Sequence, residues 1–214
     1  MLSPPHISDL AYFVQRIRDA KGSSYQIPDF DPLDGGSNAQ VLFLLEAPGP
    51  KAVISGFASR NNPDETAKNF FLLNEEASVD RRLTITWNAV PWYIGSGTKI
   101  RPARRDDVRE ADIWLKELLA ALHELRFVIF VGQKSLHARG VVQDSRPTVQ
   151  IITMPHPSPM FINRDPRNRA RVLAVLQELS VLMARGDSHS VGKANEQNQD
   201  RLTTELDRQP TAAV

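Results

Sequence analysis

The sequence contains no cysteine, which removes disulfides, thiolate zinc sites, cysteine nucleophiles and thiolate-held iron–sulfur clusters together. It also lacks any apolar run approaching the ~20 residues of a membrane-spanning helix. Its first residues do not follow the charged-then-apolar order of a secretory leader, so a cytoplasmic protein away from membranes is the expectation. Charge of one sign is missing as well. The formal net charge is +1, so any case for a nucleic-acid partner must come from local groups of Arg and Lys. Two groups exist: Arg101, Arg104 and Arg105, and then Arg164, Arg167, Arg169 and Arg171. There is no internal repeat. A chain of 214 residues, 41% apolar and 24% charged, suffices for one core. We therefore expect a single domain over residues 1–186, a disordered polar tail over 187–214, and a monomer.

What is present alternates between two periodicities. Ser8 to Ala20 carries Leu10, Phe13, Val14 and Ile17 at helical spacing behind a candidate Ser8 cap. Residues 22–40, rich in Gly, Ser, Asp and Pro, read as a long surface connection. Apolar runs at Val41–Leu45, Leu83–Trp87, Phe127–Val131 and 149–154 read as strands. Between and after them, helical patterns cover Asp64–Glu76, 106–125, a short stretch at Ser135–Arg139, and Pro166–Ala184. Continuous apolar strands alternating with helices predict an α/β protein with a parallel sheet covered on both faces. In such a sheet the strand exits share one edge, and ligands bind there.

Three of those exits carry specific polar sequences: Glu46-Ala47-Pro48-Gly49-Pro50, Asn88-Ala89-Val90-Pro91, and His156-Pro157-Ser158-Pro159. Over roughly residues 40 to 185, in order and spacing, these segments resemble the signature motifs of the uracil-DNA glycosylase superfamily. The first is similar to the Gly-Glu-Ala-Pro-Gly form of its iron–sulfur branches, the last to the His-Pro-Ser-Pro of its cysteine-independent branches. The resemblance implies a divergent branch without a cluster, hence no cofactor and no metal. It implies a three-layer α/β/α sandwich around a four-stranded parallel sheet. It also implies a monofunctional enzyme that flips uracil out of single- or double-stranded DNA and hydrolyses the N-glycosidic bond. The product is an abasic site, which initiates base excision repair.

The same resemblance assigns roles. His156 donates to O2 of the departing base, where negative charge grows in the transition state. Asn88, with one donor and one acceptor, meets O4 and N3 of uracil, a pattern that cytosine reverses. Glu46 positions water and offsets oxocarbenium charge, although the best-studied branch has an aspartate one residue later, where this chain has Ala47. Backbone amides around Ala47, Pro48 and Gly49 hold the base. Gly49 stands where that branch has a tyrosine excluding the methyl group of thymine. Phe57, ahead of Phe70, is the candidate to stack on the flipped base. Met160 and Phe161 form the wedge, and Ser158, Arg164 and Lys134 contact phosphates. No lysine in the three motifs suggests a lyase step. Two other readings stay open: a protein that binds uracil or abasic DNA without turnover, and an α/β hydrolase of free nucleosides.

Overall fold

The computed structural model describes residues 4–97 and 99–185, so the segment expected to be a disordered tail lies outside the described residues. Four five-residue strands form the central sheet: β2 (Val41–Leu45), β4 (Thr84–Asn88), β7 (Phe127–Val131) and β8 (Gln150–Met154). The connections hold two short helices, α2 (Pro50–Ser55) and α5 (Arg139–Ser145), and an antiparallel pair, β5 (Gly95–Ser96) and β6 (Lys99–Ile100). Their order is β4-β2-β7-β8 and every pairing is parallel. Successive side chains in a strand point to opposite faces, so one sequence supplies two cores. Leu42, Leu44, Ile85, Trp87, Val128 and Phe130 meet helices α1 (Ser8–Lys21) and α4 (Arg105–Ala121) on one face. Val41, Phe43, Phe127, Ile129 and Val131 meet α3 (Glu65–Glu76) and the helix over 166–185 on the other. The expected α/β sandwich and four-stranded parallel sheet are observed.

Local chemistry explains where the helices stop and start. The Asp64 carboxylate accepts from the amides of Thr66 and Ala67, both at 3.0 Å, and so fixes the start of α3. At the far end of α4, the Arg146 guanidinium donates to the carbonyls of Leu119 and Leu122 at 2.9 and 3.2 Å. These are last-turn acceptors that the helix leaves without partners.

Three expectations need correction. Ser8 does not cap α1: Ile7 occupies the cap position, and the Ser8 hydroxyl donates backward to the carbonyls of Pro4 and Pro5. Residues 22–40 are not a surface connection, since Ile27, Phe30, Asp31, Asp34 and Ala39 are buried. Phe30 stacks on Trp87 at a centroid distance of 3.8 Å. This segment also contributes β1 (Asp29–Phe30), which pairs with β3 (Phe57–Ala58) and packs against β4. That cover explains why β4 is buried along its whole length although it ends the sheet. Finally, the strand that precedes His156 is only half-buried, because β8 is the opposite edge of the sheet and lacks such a cover.

Candidate active site

Backbone ladders carry the sheet past its formal ends and hold the three exits in register. The Ala89 amide donates to Leu45 O at 2.8 Å and Val90 to Glu46 O at 3.0 Å, which locks the β2 exit to the β4 exit. On the other side, Gly132 N–H donates to Met154 O at 2.8 Å. Gly132 then turns with φ +83°, and a Cβ built there would lie 3.2 Å from Cβ of His156. The exit of β7 thus needs glycine twice, for the left-handed backbone and for room beside the imidazole. Gly132→Ala is expected to destabilise the fold by about 1–3 kcal/mol and to displace His156, measured as a lower denaturation midpoint together with altered titration of that imidazole.

The exits enclose a cavity of about 680 Å³. Its lining includes Glu46, Ala47, Pro48, Gly49, Asn88, Lys134, His156, Ser158 and Met160. Asn88 is 5% exposed at the last position of β4. Among the described residues neither its amide nor the His156 imidazole makes a hydrogen bond. Buried polar groups without protein partners are uncommon outside sites that await a ligand. Burial lowers the pKa of His156 from the ordinary 6.5, against a smaller opposing pull from the Asp64 carboxylate. The imidazole is therefore neutral at neutral pH, with one N–H to give. Glu46 is tethered: its Oε1 accepts from the amide of Ala103, a buried residue just before α4.

Not every expected site residue reaches this cavity. Phe57 is 39% exposed and outside the lining, whereas Phe70 is in the lining but buried, edge-on to Phe43 at 4.9 Å. Met160 projects from α6 (Pro159–Ile162) at 84% exposure, while Phe161 turns inward against the core layer beneath the last helix. Ser158 caps α6, its hydroxyl accepting from Phe161 N at 3.3 Å, and Asn69 ties Pro157 O to α3 at 3.1 Å. Arg164 is exposed and outside the lining. Of the two arginine groups, Arg101 binds Asp107 at 2.6 Å, Arg167 binds Asp165 at 2.6 Å, and Arg169 pairs with Glu76. Among the described residues no cluster of His, Asp and Glu is arranged to hold a metal.

Sequence reasoning missed three contributors. The Ala103 amide has no side-chain signature. Asp64 carries a helix-cap signal but no sign that it faces His156. Arg60 sits in a polar stretch that reads as a loop, yet it is 3% exposed and forms part of the cavity wall.

A Methanosarcina acetivorans structure, a candidate uracil DNA glycosylase solved by NMR, superposes with TM-score 0.47 at 15% identity, covering 67% of this chain and 92% of that one. Mimivirus uracil-DNA glycosylase does so with TM-score 0.40 at 17% identity, covering 71% of this chain and 64% of its own. Among curated proteins nothing matches. The family profile described as the uracil DNA glycosylase superfamily matches residues 32–180, an interval that holds all four sheet strands and the three exits around the cavity, and the chain belongs to that superfamily.

Proposed function

We propose that this protein is a monofunctional DNA glycosylase that extrudes uracil from DNA and hydrolyses its bond to the sugar. The observation that carries the reading is the pair Asn88 and His156, two polar side chains without protein partners that line one cavity although they follow the two opposite edge strands, β4 and β8. In the reaction the bond from C1′ to N1 breaks, its electron pair stays on the base, and water adds to C1′. The neutral imidazole of His156 donates to O2, where the negative charge develops. Asn88 pairs with O4 and N3, a match that cytosine cannot make without reversing the amide. Glu46, with Oε1 held by Ala103, keeps Oε2 for the attacking water and places a carboxylate near the oxocarbenium ion. A Cβ at Gly49 would meet nothing within 4 Å, so the wall beside the base is open where a gating side chain would stand.

Extrusion from a duplex costs a few kcal/mol for unstacking and unpairing. Met160, exposed at the mouth, is the side chain placed to fill the gap, with Lys134 and Ser158 beside it for phosphates. Met160→Ala is expected to slow excision from duplex DNA by about tenfold or more while leaving single-stranded substrate within about twofold, because only the duplex needs the gap filled. Base release from uracil-containing single- and double-stranded oligonucleotides tests the function itself. Free uracil and alkali-labile sites are expected. Tight binding with no release at high protein concentration would instead establish a binding protein without turnover.

A further inference from the structure

Arg60 is the buried cation of the cavity wall. The other lysines and arginines of the lining, Lys51 and Lys134, are exposed. Its Nη2 donates to Thr84 Oγ1 at 2.7 Å, but Nε is buried with no hydrogen-bond partner. The carboxylate within ion-pair reach, Asp34, stands 3.9 Å from Nε. That same Asp34 oxygen is already engaged by Arg81 at 2.8 Å, and Arg81 also binds Asp31 at 2.5 Å. Burial raises the pKa of the Asp34 carboxyl, and the charges of Arg60 and Arg81 pull the other way. The rings of Phe43 and Phe70 flank the guanidinium carbon at 5.8 and 5.3 Å.

The path from this charge to Asn88 is polar. Thr84, Thr86 and Asn88 alternate along β4 and therefore share one face of the sheet. Thr86 lies between the other two, lines the cavity, and has a buried hydroxyl without a partner. A buried guanidinium so incompletely paired gains the fold little over an apolar side chain of the same size. Fixed charges of this kind are useful where charge develops during a reaction.

We propose that Arg60, lining the cavity on the same face of β4 as Asn88, is a charge-stabilising residue for the departing base. The proposal rests on the glycosylase reading of the site. As the bond from C1′ to N1 breaks, its electron pair leaves with the base as an anion spread over the ring and its carbonyl oxygens. Hydroxide from water joins C1′ and the remaining proton passes to solvent. Neutral His156 supplies a hydrogen bond to that anion but no net charge. Arg60 supplies the charge, in place before substrate arrives.

The test compares uracil with 5-fluorouracil in the same single-stranded oligonucleotide under single-turnover conditions, because fluorine stabilises the leaving anion and reduces the need for protein charge. Arg60→Met is expected to slow uracil excision by about tenfold or more and 5-fluorouracil excision less, so that the fluorouracil-to-uracil rate ratio rises by about threefold. Arg60→Lys should hold the ratio near that of the unmodified protein. Asp34→Asn, which strengthens the uncompensated charge, should lower it. A folded Arg60→Met protein that slows both substrates equally overturns the proposal, as does an Asp34→Asn protein whose ratio stays or rises. Should Arg60→Met fail to fold, the Lys and Asn variants decide by the same ratio. Wild-type excision with unmoved ratios overturns this inference alone, whereas no base release from wild type overturns the glycosylase reading and this inference with it.

Discussion

His156→Ala is expected to slow uracil release by about 100- to 1,000-fold, the usual consequence of removing one donor aimed at a developing oxyanion. The loss should appear in the single-turnover rate and leave the dissociation constant for substrate DNA within a few-fold, since the hydrogen bond strengthens only as the bond to the sugar breaks. The pH dependence follows from the direction of the histidine shift. Burial lowers the His156 pKa below the ordinary 6.5, so the neutral donor persists as pH falls through 6.5, and excision attributable to it should stay level there. Stability moves differently. Between 6.5 and the lower folded value the unfolded chain takes up the proton first, so this contribution to stability is complete above 6.5 and is lost as pH falls below it. His156→Gln should therefore show a flatter melting temperature against pH in that acid window. An unchanged excision rate in a folded His156→Ala protein would remove the imidazole from the mechanism.

Asn88→Ala should cost a similar amount for a different reason. In a closed pocket, O4 and N3 of uracil would each lose a partner, at roughly 1–3 kcal/mol per unpaired buried group. Together they amount to about 2–6 kcal/mol, or roughly 30- to 25,000-fold in the second-order rate of excision. Binding and the second-order rate should both suffer while the saturated single-turnover rate holds better, because these hydrogen bonds exist before the transition state. Substrate-binding titrations beside single-turnover rates separate the two variants: His156→Ala leaves binding nearly intact, Asn88→Ala does not. Equal binding by wild type and Asn88→Ala would show that this amide does not read the base.

The sheet and both cores were legible because their signals are local. Each of Val41–Leu45 and Phe127–Val131 is a continuous apolar run, and only burial on both faces accommodates such a run. The reading failed where distant contacts decide burial. Phe30 sits in a Gly- and Asp-rich stretch, yet it is buried because Trp87 offers it a flat ring to stack on. The opposite error occurred at β8, where Gln150 and Thr153 are exposed and Ile151 and Ile152 only partly buried, because the strand stands at the open edge of the sheet. Edge position is a property of strand order, and strand order has no signature within a strand.

By itself, the sequence determined the strand-and-helix alternation, the lack of thiol chemistry, and the three polar exits that a parallel sheet must carry to one edge. Only the tertiary structure decided which side chains share the cavity. It separated exposed Met160 from inward-packed Phe161, and it left Phe57 outside the lining. It joined Glu46 to the amide of Ala103, 57 residues later, and Arg60 to Thr84, 24 residues later. The physical reason is the range of the forces involved. Periodicity reports how a residue faces its own strand or helix, whereas charge compensation and hydrogen-bond closure depend on groups that only the packed chain brings within about 3 Å.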